Sequence, residues 1–375
     1  MIRQLQISNF KSIDTLTLEL GRVNVLIGPN GCGKTNILEA ICLGGAAVAD
    51  KLDNEFLAPR GIRYATPRDM RSGFDTASLT QPIRLEFINK KDKQLAISLT
   101  ESANNNHQFS SEFFKTPDAS LQKNYLAYAQ DPSRKTDEKI LIFALRTIEL
   151  LVASLHFPEL ERFLIYSPDH TSIRRLEDEE RTLPLGIDGC GLFRLLQSFT
   201  QEERDVVKTH LRAIDWFDDF ETPDNLIPGE RRLRIKDQYL ADGLQYFEQR
   251  VANEGFLFLL FYLCLFISQQ TPKLFAIDNL DSGLNPKLCA YTAKTLCELA
   301  TRYDKQALIT THNPSVLDGL NLHDDDTRLF VVSRNLDGRT RIRRILPSQQ
   351  PAGEPPVRLS EAFLRGYLGG LPEHF

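Results

Sequence analysis

The feature that most constrains this chain is the stretch GPNGCGKTN, residues 28–36. It follows RVNVLI (22–27), an apolar segment that predicts a central strand, and it precedes a helical pattern from about Lys34 to Ala49. Glycines let backbone N–H groups curl around a phosphate without Cβ clashes, and a helix start adds the positive end of its dipole. Strand, glycine-rich turn and helix in this order predict a phosphate-binding loop in an α/β fold.

The side chains of this loop have individual expected roles. Lys34 is predicted to reach the β- and γ-phosphates of ATP, and the Thr35 hydroxyl is predicted to ligate Mg²⁺. A chance match in a glycine turn is the alternative, and the acidic strand end further along the chain argues against it. The loop residues expected to bind the nucleotide are Gly28, Pro29, Asn30, Gly31, Cys32, Gly33, Lys34, Thr35 and Asn36.

A phosphate loop also needs an acid that holds the metal, expected on a neighbouring strand. Asp278 follows the apolar segment KLFAI (273–277), and we predict that it binds Mg²⁺ together with Thr35. A simple turn aspartate is the alternative interpretation. His312 ends the next predicted strand, in LITTHNP (308–314), where it is expected to sense the γ-phosphate.

The residue after Asp278 departs from a common pattern. Many ATP hydrolases have a glutamate there that activates the attacking water, whereas this chain has Asn279. An amide can orient water but cannot accept its proton. Asp281 lies two residues further on and is the candidate to supply the missing charge. We therefore predict slow ATP hydrolysis, with Asn279, Asp281 and His312 as the catalytic candidates.

The remaining pattern predicts an α/β fold with parallel strands. Apolar strands at 273–277, 306–310 and 328–332 follow one another, and a helix at 287–303 separates the first two. Shorter alternating segments are predicted to be strands at 2–8, 15–20, 83–88 and 94–99, the last two as a hairpin, with one further candidate at 162–167.

The middle of the chain has a different character. Residues 101–140 are polar and are interpreted as an insertion away from the sheet core. A helix is predicted at 138–154, and 188–250 is predicted to be mostly helical. The predicted organisation is an N-terminal part of the core at 1–100, an inserted, mostly helical lid or partner-binding region at 101–250, and a C-terminal part of the core at 251–375.

The order of these motifs resembles the ABC-type ATPase superfamily, especially RecF, SMC heads and OLD-type ATPases. ISNFKSI (7–13) is similar to the first strand and turn of those proteins, which implies that Lys11 and Ser12 contact the nucleotide. VANEGFLFLL (251–260) resembles the ABC signature, with Asn253 at the serine position and Gly255 at the glycine. IDNLDSGLNP resembles the Walker B and D-loop stretch, TTHNP resembles the switch-histidine motif, and 359–375 resembles the tail of compact bacterial ATPases associated with anti-phage defence.

This resemblance implies a fold, cofactors and partners. The fold is an ABC-type ATPase head with a mixed or parallel sheet flanked by helices, plus an inserted helical subdomain. The cofactors are ATP and Mg²⁺. Two protomers would sandwich two ATP molecules, which gives a homodimer or a higher oligomer that closes when ATP binds. The glutamine of the Q-loop is not evident in YSPDH (166–170), and Ser167 or Asp169 is the candidate substitute.

Two functions remain open at this level. The first is a regulatory ATPase that controls a nuclease or toxin effector in bacterial anti-phage defence. The second is a DNA-repair or recombination clamp of the RecF or SMC type. An intrinsic OLD-type nuclease would need a further acidic domain, and only about 40 residues follow the core strands.

Composition supports a cytoplasmic protein with no membrane partner. The net charge of −5 gives no global attraction to nucleic acid, although RRLRIK (231–236) is a candidate for contacts with a phosphate backbone. The six cysteines include no CxxC pair, which argues against a zinc site or disulfide framework. The apolar run at 256–267 is too short to span a bilayer and is predicted to be a buried helix.

Overall fold

The computed structural model describes residues 1–102, 105–115, 138–174, 183–223, 233–241, 246–347 and 357–371. The chain divides into two compact units. The first consists of Met1–Gly21, Asn30–Leu164 and Val332–Arg343. The second consists of Arg22–Pro29, Ile165–Val331 and Arg344–Phe375.

The elements follow the chain in this order. The strands are β1 (Ile2–Phe10), β2 (Ile13–Glu19), β3 (Val23–Ile27), β4 (Ile83–Asn89), β5 (Gln94–Ser102), β6 (Asn105–Lys115), β7 (Ile165–Tyr166), β8 (Phe217–Glu221), β9 (Arg234–Asp237), β10 (Tyr246–Glu248), β11 (Leu274–Ile277), β12 (Gln306–Thr311), β13 (Thr327–Arg334) and β14 (Thr340–Ile345). The α-helices are α1 (Lys34–Val48), α2 (Asn54–Leu57), α3 (Glu138–His156), α4 (Pro158–Glu161), α5 (His170–Arg174), α6 (Leu192–Gln197), α7 (Gln201–Leu211), α8 (Glu254–Ile267), α9 (Pro286–Arg302) and α10 (Leu359–Leu364).

The first unit is built on an antiparallel sheet. Among the described residues its strand order is β2-β1-β4-β5-β6. On β1, Leu5 and Ile7 are buried while the alternate residues Gln4 and Gln6 are partly exposed, so one face of the strand packs into the core. Helix α1 packs against β1 and β4. The hairpin predicted from 83–88 and 94–99 is confirmed as β4 and β5.

Part of the polar segment 101–140 belongs to the sheet, whereas the sequence predicted an insertion away from the sheet core. Residues Asn105–Lys115 form β6, which extends the antiparallel sheet beyond β5 rather than a loop away from it. Backbone hydrogen bonding can recruit a polar segment to a sheet edge, since only one neighbour is required. Residues 116–137 lie outside the described residues. The helix predicted at 138–154 is confirmed as α3.

The second unit is built on a parallel sheet, which confirms the α/β prediction. In the described part of the chain its order is β14-β13-β3-β12-β11-β7, with β13, β3, β12, β11 and β7 mutually parallel. All five residues of β3 are buried, as expected for a central strand. Strands β13 and β14 each have residues in both units.

Helix α8 forms much of the core of the second unit. Every residue from Gly255 to Ile267 is buried, which confirms the helix predicted from the apolar run. Aromatic contacts join Tyr166, Phe261 and Phe275, with ring centroids 5.9 Å apart in each pair that includes Tyr166. No helix in the described ranges is both long enough and apolar enough to cross a membrane.

The prediction that 188–250 is mostly helical is only half right. Helices α6 and α7 occupy its first part, but β8, β9 and β10 then form a small antiparallel sheet. In β8 the buried residues Phe217 and Phe220 are three positions apart, across a register shift, and in β9 Ile235 is the buried residue. These short strands therefore lack a regular period of two, and the sequence pattern did not predict them.

Candidate functional site

Three predicted site segments lie at one edge of the parallel sheet in the second unit. Gly28 follows β3, Asp278 follows β11, and His312 follows β12. Because these strands are parallel and in register, their carboxyl ends meet at the same edge. The expected neighbour relation is corrected in one respect: β12 lies between β3 and β11, so the strand of Asp278 is not adjacent to β3.

The intervening strand holds the Asp278 carboxylate. The Thr310 hydroxyl donates to Asp278 Oδ1 at 2.5 Å and accepts from the Asn279 backbone N–H at 2.9 Å. The Asp278 N–H donates to the Tyr166 carbonyl of β7. Thr310 was not singled out from sequence. Its place at the carboxyl end of the strand that precedes His312 was the signal available.

Asn279 has a left-handed backbone conformation, with φ of 59°. Its carbonyl accepts from Ser282 N–H at 3.1 Å, and the next N–H, of Leu280, donates to Thr310 O at 3.0 Å. These bonds define a tight turn after β11. Asparagine is among the non-glycine residues that tolerate this region best, so the local backbone favours it over glutamate.

Asp281 fastens this turn to the end of β12. Its Oδ1 accepts from the Thr311 hydroxyl at 2.6 Å and from the His312 backbone N–H at 3.2 Å. The His312 side chain is exposed. The carboxylate thereby orients the backbone that carries His312, a role that the sequence alone did not indicate.

The signature-like segment begins α8. Asn253 is the N-cap residue, and its Oδ1 accepts from Phe256 N–H at 3.0 Å. A Cβ on Gly255 would lie 3.2 Å from the Gly283 carbonyl oxygen, so a side chain there would crowd the turn before α9. Both residues border a cleft of about 660 Å³ in the second unit, which is also lined by Trp216.

The phosphate loop has glycines at its two strained positions. In the first unit, Gly31 has φ of 75° and Gly33 has φ of 106°, both in the region that favours glycine. Helix α1 starts at Lys34, which is 5% exposed, and its Nζ donates to Cys32 Sγ at 3.8 Å. Burial raises the pKa of the Cys32 thiol, and the nearby Lys34 charge opposes this shift. The predicted loop and helix are therefore present.

Lys11 and Ser12 have partners in the first unit. Lys11 Nζ donates to Glu39 Oε2 at 2.6 Å, and Glu39 is fully buried on α1. Arg63 donates to the other oxygen of Glu39 through its backbone N–H at 3.0 Å and its Nε at 2.8 Å. Burial lowers the pKa of Lys11, and the Glu39 carboxylate opposes that shift. Ser12 Oγ contacts Asn36 Nδ2 at 2.7 Å. Glu39 was missed at the sequence level.

The two candidates for the Q-loop position differ in surroundings. Asp169 Oδ1 accepts from the N–H groups of Thr171 and Ser172, so it caps α5. Ser167 is exposed, and its N–H donates to the Ile187 carbonyl.

The Asp278 carboxylate is an oxygen donor of the kind that suits a hard cation. Mg²⁺ in phosphate sites is held by one or two such groups together with phosphate oxygens and waters. Among the described residues no cluster of three or more His, Cys, Asp or Glu side chains could hold a metal alone. A carboxylate of this kind fits a metal that arrives with a nucleotide.

A family profile described as "AAA domain, putative AbiEii toxin, Type IV TA system" matches residues 23–318. The chain belongs to this AAA-domain family. The match runs from β3 through the phosphate loop, the Asp278 turn and His312, and so includes most of the segments described above. The family match and the fold together agree with the ABC-type P-loop ATPase that the sequence predicts.

Three known proteins show similarity to parts or most of this chain. An OLD nuclease from Thermus scotoductus is 46% identical over 43 residues, which are 12% of this chain and only 8% of that protein. An SMC head domain from Thermotoga maritima superposes with a TM-score of 0.50 at 15% identity, covering 92% of this chain and 98% of the other. An SMC head bound to the C-winged helix domain of ScpA gives a TM-score of 0.54 at 13% identity, covering 92% and 97%. At these identities the two structures establish the fold of this AAA-domain protein.

Proposed function

We propose that this AAA-domain protein is a cytoplasmic ATPase that binds Mg²⁺-ATP, hydrolyses it slowly, and regulates a nuclease or toxin effector in bacterial anti-phage defence. The observation that carries slow turnover is Asn279. It occupies the turn directly after Asp278, where an acid would serve as general base, and its amide can only orient water. The left-handed backbone at this position also suits asparagine.

The phosphate loop supports the nucleotide part of the proposal. The backbone N–H groups of Gly28–Thr35 would surround the phosphates, and Lys34 would neutralise their charge. The Thr35 hydroxyl and the Asp278 carboxylate would supply oxygen ligands to Mg²⁺. Lys11 and Ser12 would contact the nucleotide, with Glu39 as the partner of the Lys11 amine.

The proposed hydrolytic residues have distinct tasks. Asn279 would orient the attacking water through its amide. Asp281 would hold the β12 terminus so that the exposed His312 side chain can respond to the γ-phosphate. Asn253 and Gly255 would act on the nucleotide of a second protomer, which gives an ATP-dependent homodimer. Asn253 has an amide N–H₂ group with which to donate a hydrogen bond, while its oxygen caps α8.

The effector role draws support from the family and from the OLD similarity. The family description names a putative toxin of a toxin–antitoxin system, and the short match is to a nuclease. An ATPase that stays long in its ATP-bound state is suited to holding a partner until a trigger ends that state, because the lifetime of the state sets the lifetime of the complex.

Two measurements test the proposal. Purified protein should bind Mg²⁺-ATP and form dimers with it, and Lys34→Ala should lose both properties. A wild-type protein that binds no ATP would overturn the proposal at its base.

The second measurement concerns the partner. Tagged wild-type protein from its native host should retain a nuclease or toxin in an ATP-dependent manner, and the Lys34→Ala protein should not respond to ATP. If DNA instead stimulates hydrolysis and binds in a salt-sensitive manner, with no effector retained, the chain is a DNA clamp and the effector role is wrong.

A further inference from the structure

The hairpin of β13 and β14, near the other end of the sequence, donates hydrogen bonds to the phosphate loop. Arg334, the last residue of β13, and Thr340, the first residue of β14, donate to consecutive carbonyls of the loop. Arg334 Nε donates to the Gly31 carbonyl at 2.8 Å, and the Thr340 hydroxyl donates to the Cys32 carbonyl at 2.8 Å. These contacts link residues 303 and 308 positions apart, and all of them lie within the first unit.

The hydroxyl contact belongs to a chain of hydrogen bonds with one possible direction. Thr340 has a single hydroxyl proton, and Cys32 O accepts it. Ser12 must then donate across the 2.7 Å contact to Thr340 Oγ1, and Ser12 Oγ in turn accepts from Asn36 Nδ2 at 2.7 Å. The Thr340 N–H also donates to Ser12 O at 2.8 Å. Ser12 is 6% exposed and Thr340 is 1% exposed, so water does not compete for these bonds.

Because peptide groups are planar, these two contacts also fix the direction of two backbone N–H groups in the loop. In a planar trans peptide the carbonyl of one residue and the N–H of the next point in opposite directions. Holding Gly31 O outward turns the Cys32 N–H to the opposite side, and holding Cys32 O outward does the same for the Gly33 N–H. Those N–H groups are among the ones that a phosphate loop presents to its ligand.

The contact with Gly33 shows how closely the hairpin follows the loop. A Cβ on Gly33 would lie 2.2 Å from Thr340 Oγ1 and 2.8 Å from Ser12 Oγ. By contrast, a Cβ on Gly31 would meet nothing within 4 Å. The threonine and serine hydroxyls therefore fill the space directly behind Gly33, the N-cap residue of α1.

We infer that Arg334 and Thr340 are positioning residues for phosphate recognition, which act by fixing the N–H groups of Cys32 and Gly33 toward the bound phosphates. The inference rests on the proposed nucleotide binding. Neither residue needs to touch the ligand. Ser12 and Asn36 contribute indirectly, because their hydrogen bonds fix the direction of the Thr340 hydroxyl.

The test uses the full chain and measures binding of ATP and of ADP. Thr340→Val keeps the shape of the side chain but removes the donor, and Thr340→Ser keeps the donor. Arg334→Met keeps an apolar stem without a donor. We expect Val and Met to weaken ATP and ADP about equally, by roughly tenfold, because the loop binds phosphates that both nucleotides share. We expect Thr340→Ser to bind within about twofold of wild type.

Kinetics separate positioning from a folding defect. Loss of phosphate binding alone should raise KM for ATP while kcat stays within about twofold of wild type, since the interaction is lost equally from ground and transition states. A merely structural role would lower kcat through a smaller active fraction and leave KM unchanged. If Thr340→Val fails to fold, the exposed Arg334 still provides the test, because surface substitutions seldom unfold a protein.

The outcomes are distinguishable from failure of the proposed function. If the wild-type protein does not bind ATP, both the proposed nucleotide binding and the inference about Arg334 and Thr340 are wrong. Wild-type binding that is lost in Lys34→Ala, but unchanged in Thr340→Val and Arg334→Met, overturns only the inference. Loss of ATP binding without loss of ADP binding in Arg334→Met would mean direct contact with the γ-phosphate, and positioning by that residue would be wrong.

Discussion

Replacing Asn279 by glutamate tests the proposed slow turnover and its explanation most directly. The substitution places a carboxylate at the position directly after Asp278, without altering the phosphate loop. If the missing proton acceptor limits hydrolysis, steady-state turnover should rise by at least about tenfold, since a well-placed general base contributes about 10²–10⁴ and the new side chain is not optimised.

The structure also assigns a cost to this change. Asn279 has φ of 59°, and its turn is fixed by Thr310 on both sides, through Asn279 N–H and Leu280 N–H. Glutamate lacks the short polar side chain that eases this conformation, so the left-handed backbone should cost about 1 kcal/mol relative to asparagine. For a protein of this size the melting temperature should fall by roughly 2 °C.

A matched control separates charge from strain. Asn279→Gln has the length of glutamate and the same backbone strain, but its amide cannot accept a proton. It should show the same fall in melting temperature and no gain in rate. The assay is phosphate release at saturating Mg²⁺-ATP, with ATP affinity and melting temperature measured on the same preparations.

One result would refute the reasoning. If Asn279→Glu binds ATP as wild type does, melts like Asn279→Gln, and hydrolyses no faster than Asn279→Gln, then this position does not limit the rate. A step such as dimer opening or product release would then control turnover.

The remaining predictions concern stability and the two halves of the site. Gly33→Ala should destabilise the protein by at least about 3 kcal/mol and abolish ATP binding, because φ is 106° and an added Cβ would lie 2.2 Å from a threonine oxygen. Gly31→Ala has open space at its Cβ and should cost only about 1 kcal/mol. Equal losses of stability for the two variants in chemical denaturation would contradict this explanation. Glu39→Gln should cost about 3 kcal/mol, since it leaves the Lys11 amine beside a neutral group in a buried position, and a denaturation midpoint equal to wild type would disprove a structural role for the ion pair. Thr310→Val should lower ATP hydrolysis more than ATP affinity while Thr310→Ser retains both, because only the hydroxyl bridges the aspartate and the following N–H; a serine variant as impaired as valine would show that packing matters instead.

The sequence predicted the local backbone structure around the candidate site because the signals for that structure are local. The phosphate loop depends on glycines at positions that need positive φ, and Gly31 and Gly33 have that conformation. Helix α8 was evident because twelve consecutive apolar residues at 256–267 have no polar face. The parallel strands followed from apolar runs separated by a helix.

Errors arose where a pattern was weak or a partner lay far away. The polar β6 and the short strands β8–β10 depend on neighbouring strands for their backbone hydrogen bonds, so composition gave little warning. The domain boundaries at 100 and 250 stay predictions. The division into two compact units instead assigns separate stretches of the chain to each unit.

The sequence by itself determined that this chain has a phosphate loop, an aspartate after an apolar strand, and an amide at Asn279. Short-range conformation and side-chain chemistry set those features, and both can be read residue by residue. Only the tertiary structure decided what holds them: Thr310 on the Asp278 carboxylate, Glu39 on Lys11, and Thr340 on the carbonyl behind the loop. These are hydrogen bonds between residues 28 to 308 positions apart, and they form only because strand order and packing bring distant segments together.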